Sequence, residues 1–394
     1  MRDWTEPNFG EHLTNGAIHD GWRLPLLSRE QFMEREEPGR LSREQLRYLA
    51  WFGLLAPSTH NTVPQRFVLR AEVQRIEVFA DRRYVLAESD PSGRQCLVSL
   101  GCTLANVQMA AAVMGFNAQV EFSRLERGKV APIAEGIDGE RYVPAFAMTF
   151  SSTDRYEEER WLELMRSRKV LRAEYDRSVS LTEDAETRLH QIVESTQRMP
   201  GELQLHLVKG ALALKAIAKF QEQADRFVLE SRQFARELGD WLLPNQDSSS
   251  TRGMRGREFG FDDEFSAHVH EGLRGQRQLL PDQLAAFAKG GKVGLESSSA
   301  VLVVSINSDD PTLQVRAGCA AQLVTLELSR RGFQSAYHAA LTEVDWAASM
   351  FAASILHTRR RPTVILRCGK AKRAIDLERP HASRPSIDDV ILDR

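Results

Sequence analysis

The chain has 394 residues, enough for two cores or for one large core built from two halves, and 42% of them are hydrophobic against 27% charged, the balance of a globular protein. Its 52 basic and 54 acidic side chains leave a net charge of −2, which excludes a bulk electrostatic grip on nucleic acid or on an anionic membrane. The opening MRDWTEPNFGEHL lacks the apolar centre of a secretory signal, and Cys96, Cys102, Cys319 and Cys368 form neither a CxxC pair nor a dense framework, so reduced thiols and a cytoplasmic location are expected.

The first strong element is a helix in LSREQLRYLAWFGLLAPS from Leu41, with a Ser N-cap and an acidic residue in its first turn. A short strand, Arg66 to Leu69, follows it. From Gly101 the chain reads GCTLANVQMAAAVMGF, with Leu104, Val107, Ala111 and Met114 at helical spacing, which predicts a nearly all-round apolar helix ending at Gly115. Apolar stretches such as Ala110 to Phe116 fall short of the ~20 residues a bilayer span needs. Strands are predicted over Ala118 to Phe122 and Ala145 to Phe150.

The pattern then recurs. LTEDAETRLHQIVESTQR from Leu181 parallels the first helix at an offset of 140, and a strand, Leu205 to Val208, follows it. GCAAQLVTLELSRRGF from Gly318 parallels the apolar helix at an offset of 217, with Ala321, Val324 and Leu328 inward and Gly332 at its end. Strands are predicted over Val301 to Ser305 and Val364 to Leu366. The 77-residue difference between the offsets predicts an insertion in the second copy, at about residues 210 to 290. Inside it, PNQDSSSTRGMRGREFG from Pro244 to Gly260 reads as a mobile loop flanked by helices, either a covering lid or a surface excursion. Helices outnumber strands, and the expected architecture is α+β, with sheets packed by helices and the two apolar helices at the centre.

Four segments carry a family resemblance. APSTHNTVPQRF from Ala56 resembles the nitroreductase pattern APSxxNxQPWxF, and DPSGRQCLVSLGCTLANVQMAAAVMGF from Asp90 is similar to the Acg-type branch of that family. RSRKVLRAEYDRSVSLTEDAETRL from Arg166 resembles the family opening RRSxRxFxxxPVxxExL, and SRPSIDDVI from Ser383 its C-terminal basic-Pro segment. The resemblance spans roughly residues 40 to 392. It implies a nitroreductase-like fold of two degenerate halves, residues 1–155 and 156–394, fused as an intramolecular pseudo-dimer. It also implies one FMN, with hydride taken from NAD(P)H and electrons passed to a nitroaromatic, quinone or related small acceptor. Flavin storage under a lid is the alternative. No nucleic-acid or membrane partner is implied, and the chain is expected as a monomer or a weak homodimer.

FMN brings a dianionic phosphate and a ring whose polar edge gathers negative charge on reduction. Arg168, Lys169 and Arg172, at i, i+1 and i+4, are placed to converge on one anion, each charge-assisted bond being worth on the order of 1.5–3 kcal/mol. By resemblance, Ser383 and Arg384 would close that ring of charge. Pro57, Ser58, Thr59 and Asn61 would meet the flavin ring from the other half. Taken without the resemblance, the cations read as a solvated surface cluster and Pro57-Ser58-Thr59 as a capping turn. The same positions 140 residues away are Ser28 and Phe32, crowded by Glu30, Glu34, Glu36 and Glu37, and Gln197-Arg198-Met199, so only one site is expected. Hydride transfer needs no protein acid or base, and no catalytic residue is assigned.

The sequence departs from the family pattern at Val63, Gln65 and Val170, and at Tyr337 and His338, where His338 reads either as a proton donor near pH 7 or as a buried structural histidine. Gly290-Gly291-Lys292-Val293 lacks the rest of a P-loop and reads as a loop. His268 and His270, beside Glu271, would bind metal only if extended and lack further ligands, so no metal is expected. Arg359-Arg360-Arg361-Pro362 reads as a solvated lead into a strand.

Overall fold

The computed structural model describes residues 24–34, 39–123, 137–276 and 290–392. The N-terminal stretch to residue 23, Glu36, Glu37 and residues 277–289 of the insertion lie outside the described residues. Two short segments open the fold, α1 (Arg29–Met33) and α2 (Arg43–Leu54), each begun by a capping box, Ser28 with Gln31 and Ser42 with Gln45. Then come β1 (Gln65–Arg70), β2 (Arg75–Asp81), α3 (Arg94–Val113), β3 (Phe116–Phe122) and β4 (Tyr142–Ser152). They form an antiparallel sheet in the order β1-β2-β4-β3.

Past α4 (Arg160–Ser167) the scheme returns: α5 (Glu183–Ser195), N-capped by Thr182, then β5 (Leu203–Val208). The insertion follows, with α6 (Ala211–Glu230), α7 (Arg232–Trp241), β6 (Leu242–Leu243), β7 (Met254–Arg255), α8 (Gly256–Phe259), α9 (Asp263–Leu273) and α10 (residues 290–296). The second copy resumes with β8 (Ala300–Ile306), α11 (Pro311–Arg330), β9 (Gln334–Tyr337), α12 (Ala340–Glu343), α13 (Asp345–Ser354) and β10 (Arg361–Gly369). The second sheet runs β5-β8-β10-β9, the order of the first with each strand replaced by its counterpart. The fold is α+β, as the sequence leads one to expect. The strands β2 and β9 go beyond the sequence reading: β9 is only four residues long, and β2 lies a four-residue turn after β1.

The apolar helices α3 and α11 pack against each other in the centre, and the repeated Gly-Cys pairs mark their crossing. A Cβ added to Gly101 would lie 2.0 Å from the carbonyl oxygen of Val315, and one added to Gly318 would lie 2.0 Å from that of Val98. Val98 and Val315 are themselves 217 residues apart, so the contact is reciprocal. Only glycine allows the two backbones to approach so closely. Beside it the Cys102 thiol donates to the Gly318 carbonyl at 3.4 Å, and Gln322 Nε2 donates to Asn106 Oδ1 at 2.7 Å. Both helices end as expected, with Gly115 at φ +83° and Gly332 at φ +77°. The stretch Ala110 to Phe116 belongs largely to α3, which at 20 residues is long and apolar enough to cross a membrane by length and composition, contrary to the sequence estimate. Of its apolar window, 78% is buried, so the core accounts for its composition.

Three local readings are corrected. Pro244 to Gly260 is structured: β7 pairs in parallel with β6, α8 follows at once, and the buried Arg255 donates to the carbonyls of Asp247 and Ser250. These bonds satisfy a loop that composition alone would leave free. Gly290 to Val293 lies in the helix α10 rather than in a loop. Arg360 and Arg361 are held rather than solvated, Arg360 by the carbonyls of Gly201 and Glu202 and Arg361 by Asp345 at 2.7 Å. His268 and His270 sit on the helix α9, where i and i+2 side chains diverge.

Candidate anion-binding cleft

The cleft is assembled where the halves meet. From the first half comes the turn after α2, in which His60, Asn61 and Val63 all have positive φ, at 49°, 56° and 51°. Non-glycine residues hold that conformation only when their surroundings fix it. Ser58 Oγ accepts from the Val63 amide at 3.0 Å. Asn61 Nδ2 donates to the carbonyls of Gly253 at 2.9 Å and Ser383 at 3.0 Å, its Oδ1 accepts from Arg384 Nη1, and its carbonyl accepts from the Gly253 amide at 3.1 Å. One buried amide thus ties the turn to both the insertion and the tail.

From the second half, α4 ends at Ser167 and the backbone turns extended at Arg168, whose ψ is 134°. The chain then runs along β9, with the Leu171 amide donating to the Ser335 carbonyl at 3.0 Å, and this fixes the direction of the basic segment. The C-terminal tail returns to β1, where Phe67 exchanges backbone bonds with Val390 and Leu392, and so delivers Arg384 to the first half.

Pro57, Ser58, Asn61, Arg168, Lys169, Arg172 and Arg384 line one cleft. Ser383 joins it through the carbonyl bonded to Asn61. Thr59 faces α3 instead: its amide donates to Ser99 Oγ at 3.1 Å and its hydroxyl to Gln95 Oε1 at 3.5 Å. Residues that the sequence did not single out complete the lining, chiefly Met254 and Glu258 of the insertion and Arg379 and His381 of the tail. No spacing could announce them, because each is brought in by a separate long-range connection.

The electrostatics are lopsided. Arg168 is 5% exposed, and its Nε and Nη1 have no hydrogen-bond partner. Arg384 is 3% exposed and donates to the carbonyls of Leu54 and Ala56, both at 3.1 Å. Burial, reinforced by Arg168, draws its pKa down to about 9. Lys169 Nζ donates to the carbonyls of Leu377 and Arg379 at 2.6 and 2.5 Å. Arg172 Nη1 lies 3.9 Å from Glu258 Oε2, with its guanidinium 4.4 Å over the Phe259 ring. Among the described residues, Glu258 is the only carboxylate in the lining, and burial raises its pKa against the pull of Arg172.

A buried guanidinium with unmet N–H groups is costly, since each such group loses water without gaining a partner. An oxyanion with several acceptor oxygens, above all a phosphate, is the chemical complement of that donor set. The donors therefore fit the phosphate end of a cofactor such as FMN. Met254 and Glu258 of the insertion narrow the cleft, leaving about 50 Å³ open to the centres of water-sized molecules. His338, 8% exposed with an unpartnered Nε2, is held neutral at pH 7 by burial and then by Arg367 and Arg172, which favours the buried structural reading over an imidazolium donor.

Fold and site together define an α+β protein of two similarly built halves with a buried, anion-complementary cation cluster at their junction. No family model matches the chain. A 66-residue stretch, 17% of the chain, is 39% identical to the "Putative NAD(P)H nitroreductase acg" of Mycobacterium tuberculosis, and the match spans about one-fifth of that relative, 19% of its length. Among solved structures, the FMN-dependent nitroreductase NfnB from Mycobacterium smegmatis in complex with NADPH is 14% identical over 60% of this chain and 98% of its own, with a TM-score of 0.40. The "putative nitroreductase" from Anabaena variabilis is 10% identical over 94% of this chain and 95% of its own, with a TM-score of 0.48.

Proposed function

We propose that the chain is a flavoprotein of the nitroreductase superfamily, of the Acg-type branch, in which two nitroreductase-like halves, residues 1–155 and 156–394, share one polypeptide and one FMN. The observation that carries this reading is Arg168, buried with two unmet N–H groups in a cleft it shares with Ser58, Asn61, Arg172 and Arg384. The stretch shared with the mycobacterial relative supports the choice of branch. When bound, FMN supplies the redox chemistry, accepting hydride from NAD(P)H and delivering electrons to a nitroaromatic, quinone or related small molecule. Arg168 holds the phosphate oxygens, with Lys169 and Arg172 adding charge. Arg384, committed to the carbonyls of Leu54 and Ala56 and to Asn61, fixes the turn that presents Ser58 and Asn61.

One FMN per chain follows from what stands 140 residues before the arginines: Ser28 caps α1, and Phe32 is 2% exposed in the apolar core. The reading places the protein in the cytoplasm as a monomer or weak homodimer. A second reading, flavin storage with little turnover, is favoured by the insertion, whose Met254 and Glu258 line the cleft and whose Gly253 bonds to Asn61 in both directions. The test is the visible absorption spectrum of purified protein after incubation with FMN, followed by mixing with NADPH or NADH. A bound flavin that bleaches within seconds supports the reductase, and one that resists both nucleotides supports storage. Protein that stays colourless in excess FMN sinks both readings.

A further inference from the structure

Beside the Ser58–Arg66 segment three guanidiniums meet one carboxylate, and a fourth shares an aromatic ring with two of them. Asp81, at the end of β2, is fully buried, and its Oδ2 lies 3.1 Å from Arg66 Nη2, 2.9 Å from Arg83 Nη2 and 3.2 Å from Arg141 Nη2. Arg252 of the insertion lies 4.4 Å over the Tyr84 ring, which Arg66 and Arg83 also face at 4.9 and 5.3 Å. The Nε of Arg252 is buried without a hydrogen-bond partner. Among the described residues, Asp81 is the only carboxylate within 4.0 Å of any of these four arginines. The next acids that face them, Asp389 and Asp138, lie farther off and also accept backbone amides, Asp389 Oδ2 from Ser386 and Asp138 Oδ1 from Glu140 and Arg141, so four cations meet three carboxylates. One carboxylate cannot serve four guanidinium forks, since its lone pairs are filled by the first three. The inner pair, Arg66 with Asp81, is sealed in, whereas the Arg83 and Arg141 side chains are 53% and 34% exposed. The surplus charge therefore faces solvent.

We propose that Arg83, Arg141 and Arg252 form a second anion site, which takes the phosphomonoester of a nucleotide, the adenosine 2′-phosphate of a reduced pyridine dinucleotide. A phosphomonoester carries about −1.5 to −2 charges at pH 7 and offers three acceptor oxygens, which suits the donors that Arg83 and Arg141 do not spend on Asp81, together with the unpartnered Nε of Arg252, better than the single charges of a diphosphate bridge. The site's place in the fold supports the assignment. Arg252 immediately precedes Gly253, which is bonded to Asn61 in the first cleft, and Arg66 Nη1 donates to the carbonyls of Val63 and Gln65 in the same segment. A dinucleotide with its reactive end at the first cleft thus finds the arginines on the outer side of the strand of chain that covers it. The choice of dinucleotide rests on the reductase reading, while the anion site rests on the arginines alone.

Binding of ADP-ribose 2′-phosphate and of ADP-ribose, measured by calorimetry on the full chain with and without FMN, tests this. The two probes differ only in the 2′-phosphate and carry no hydride. The expected result is ~10-fold tighter binding of the phosphorylated probe, a modest figure because two of the forks are part-exposed. Arg83→Gln, Arg141→Gln and Arg252→Gln should each narrow that ratio, and Arg252→Lys should restore part of it. Thermal melts of the same variants identify any that fail to fold, and Arg83, the most exposed of the three, can be exchanged without disturbing the core. Equal affinity for the two probes, or a ratio that the folded variants leave unmoved, overturns the site. Colourless protein with the ratio intact overturns only the reductase reading.

Discussion

In the first half, residues 71–74 join β1 to β2; in the second, residues 209–299 join β5 to β8 and hold, among the described residues, seven helices or strands of their own. The two sheets nevertheless keep the same strand order, and the two central helices cross through reciprocal glycines. Close packing explains both facts. An element in the centre touches its counterpart, so change there is felt by both copies, whereas a connection at a sheet edge can lengthen with little effect on the core. The cleft draws on each part: its buried cations come from the second half and the tail, the strained turn from the first half, and Met254 and Glu258 from the insertion.

The largest expected effect is at the crossing. Gly101→Ala and Gly318→Ala should each cost about 3 kcal/mol or more by denaturant unfolding, because each added methyl meets a carbonyl oxygen at 2.0 Å. Near-equal losses would confirm that the centre is symmetric; a large disparity would break the comparison between halves.

Arg168→Met probes the asymmetry. It should weaken FMN binding by about 10- to 100-fold in a spectroscopic titration, the equivalent of one or two charge-assisted bonds. The same change should raise the melting temperature without cofactor, since it removes a buried charge with two unmet donors. A structural arginine would move stability in the opposite direction. Smaller and symmetric again are the helix starts: Ser42→Ala on α2 and Thr182→Ala on α5 should each cost about 1 kcal/mol.

A pH-dependent effect is centred on the second half. Burial raises Asp225 on α6 from 3.8 to about 7 and Glu343 on α12 from 4.5 to about 8. A carboxyl whose folded pKa lies above its unfolded value binds its proton more tightly when folded, so its contribution is greatest below the unfolded value and is lost as pH rises through the folded one. The melting temperature should therefore fall between pH 5 and pH 8 by more in the native protein than in Asp225→Asn. Parallel curves would show that Asp225 is solvated.

Much of this was legible in the chain itself. The Gly-Cys and Gly-Phe repeats announced paired central helices, and they did so because a backbone-to-backbone crossing admits only glycine. The offsets placed the insertion, since an added segment displaces everything after it equally. The RSRKVLR segment pointed to an anion because residues at i and i+4 lie on one side of an extended segment as they do on a helix. Thr59 misled because a hydroxyl in a turn can face a cleft or a neighbouring helix with equal ease, and here Ser99 and Gln95 claim it. The reading of Pro244 to Gly260 as a mobile loop failed because polar composition says nothing of long-range partners such as Asn61.

By itself, then, the sequence determined the repeated helices, their ends, most strands and the residue types suited to an anion, all properties written in local spacing and side-chain chemistry. Tertiary structure decided which of those residues share a cleft, that Glu258 and Met254 enter it, that Arg66, Arg83 and Arg141 gather at Asp81, and that Arg252 joins two of them over Tyr84. Such groupings join residues tens to hundreds of positions apart, and only the packing of the whole chain brings them within hydrogen-bonding distance.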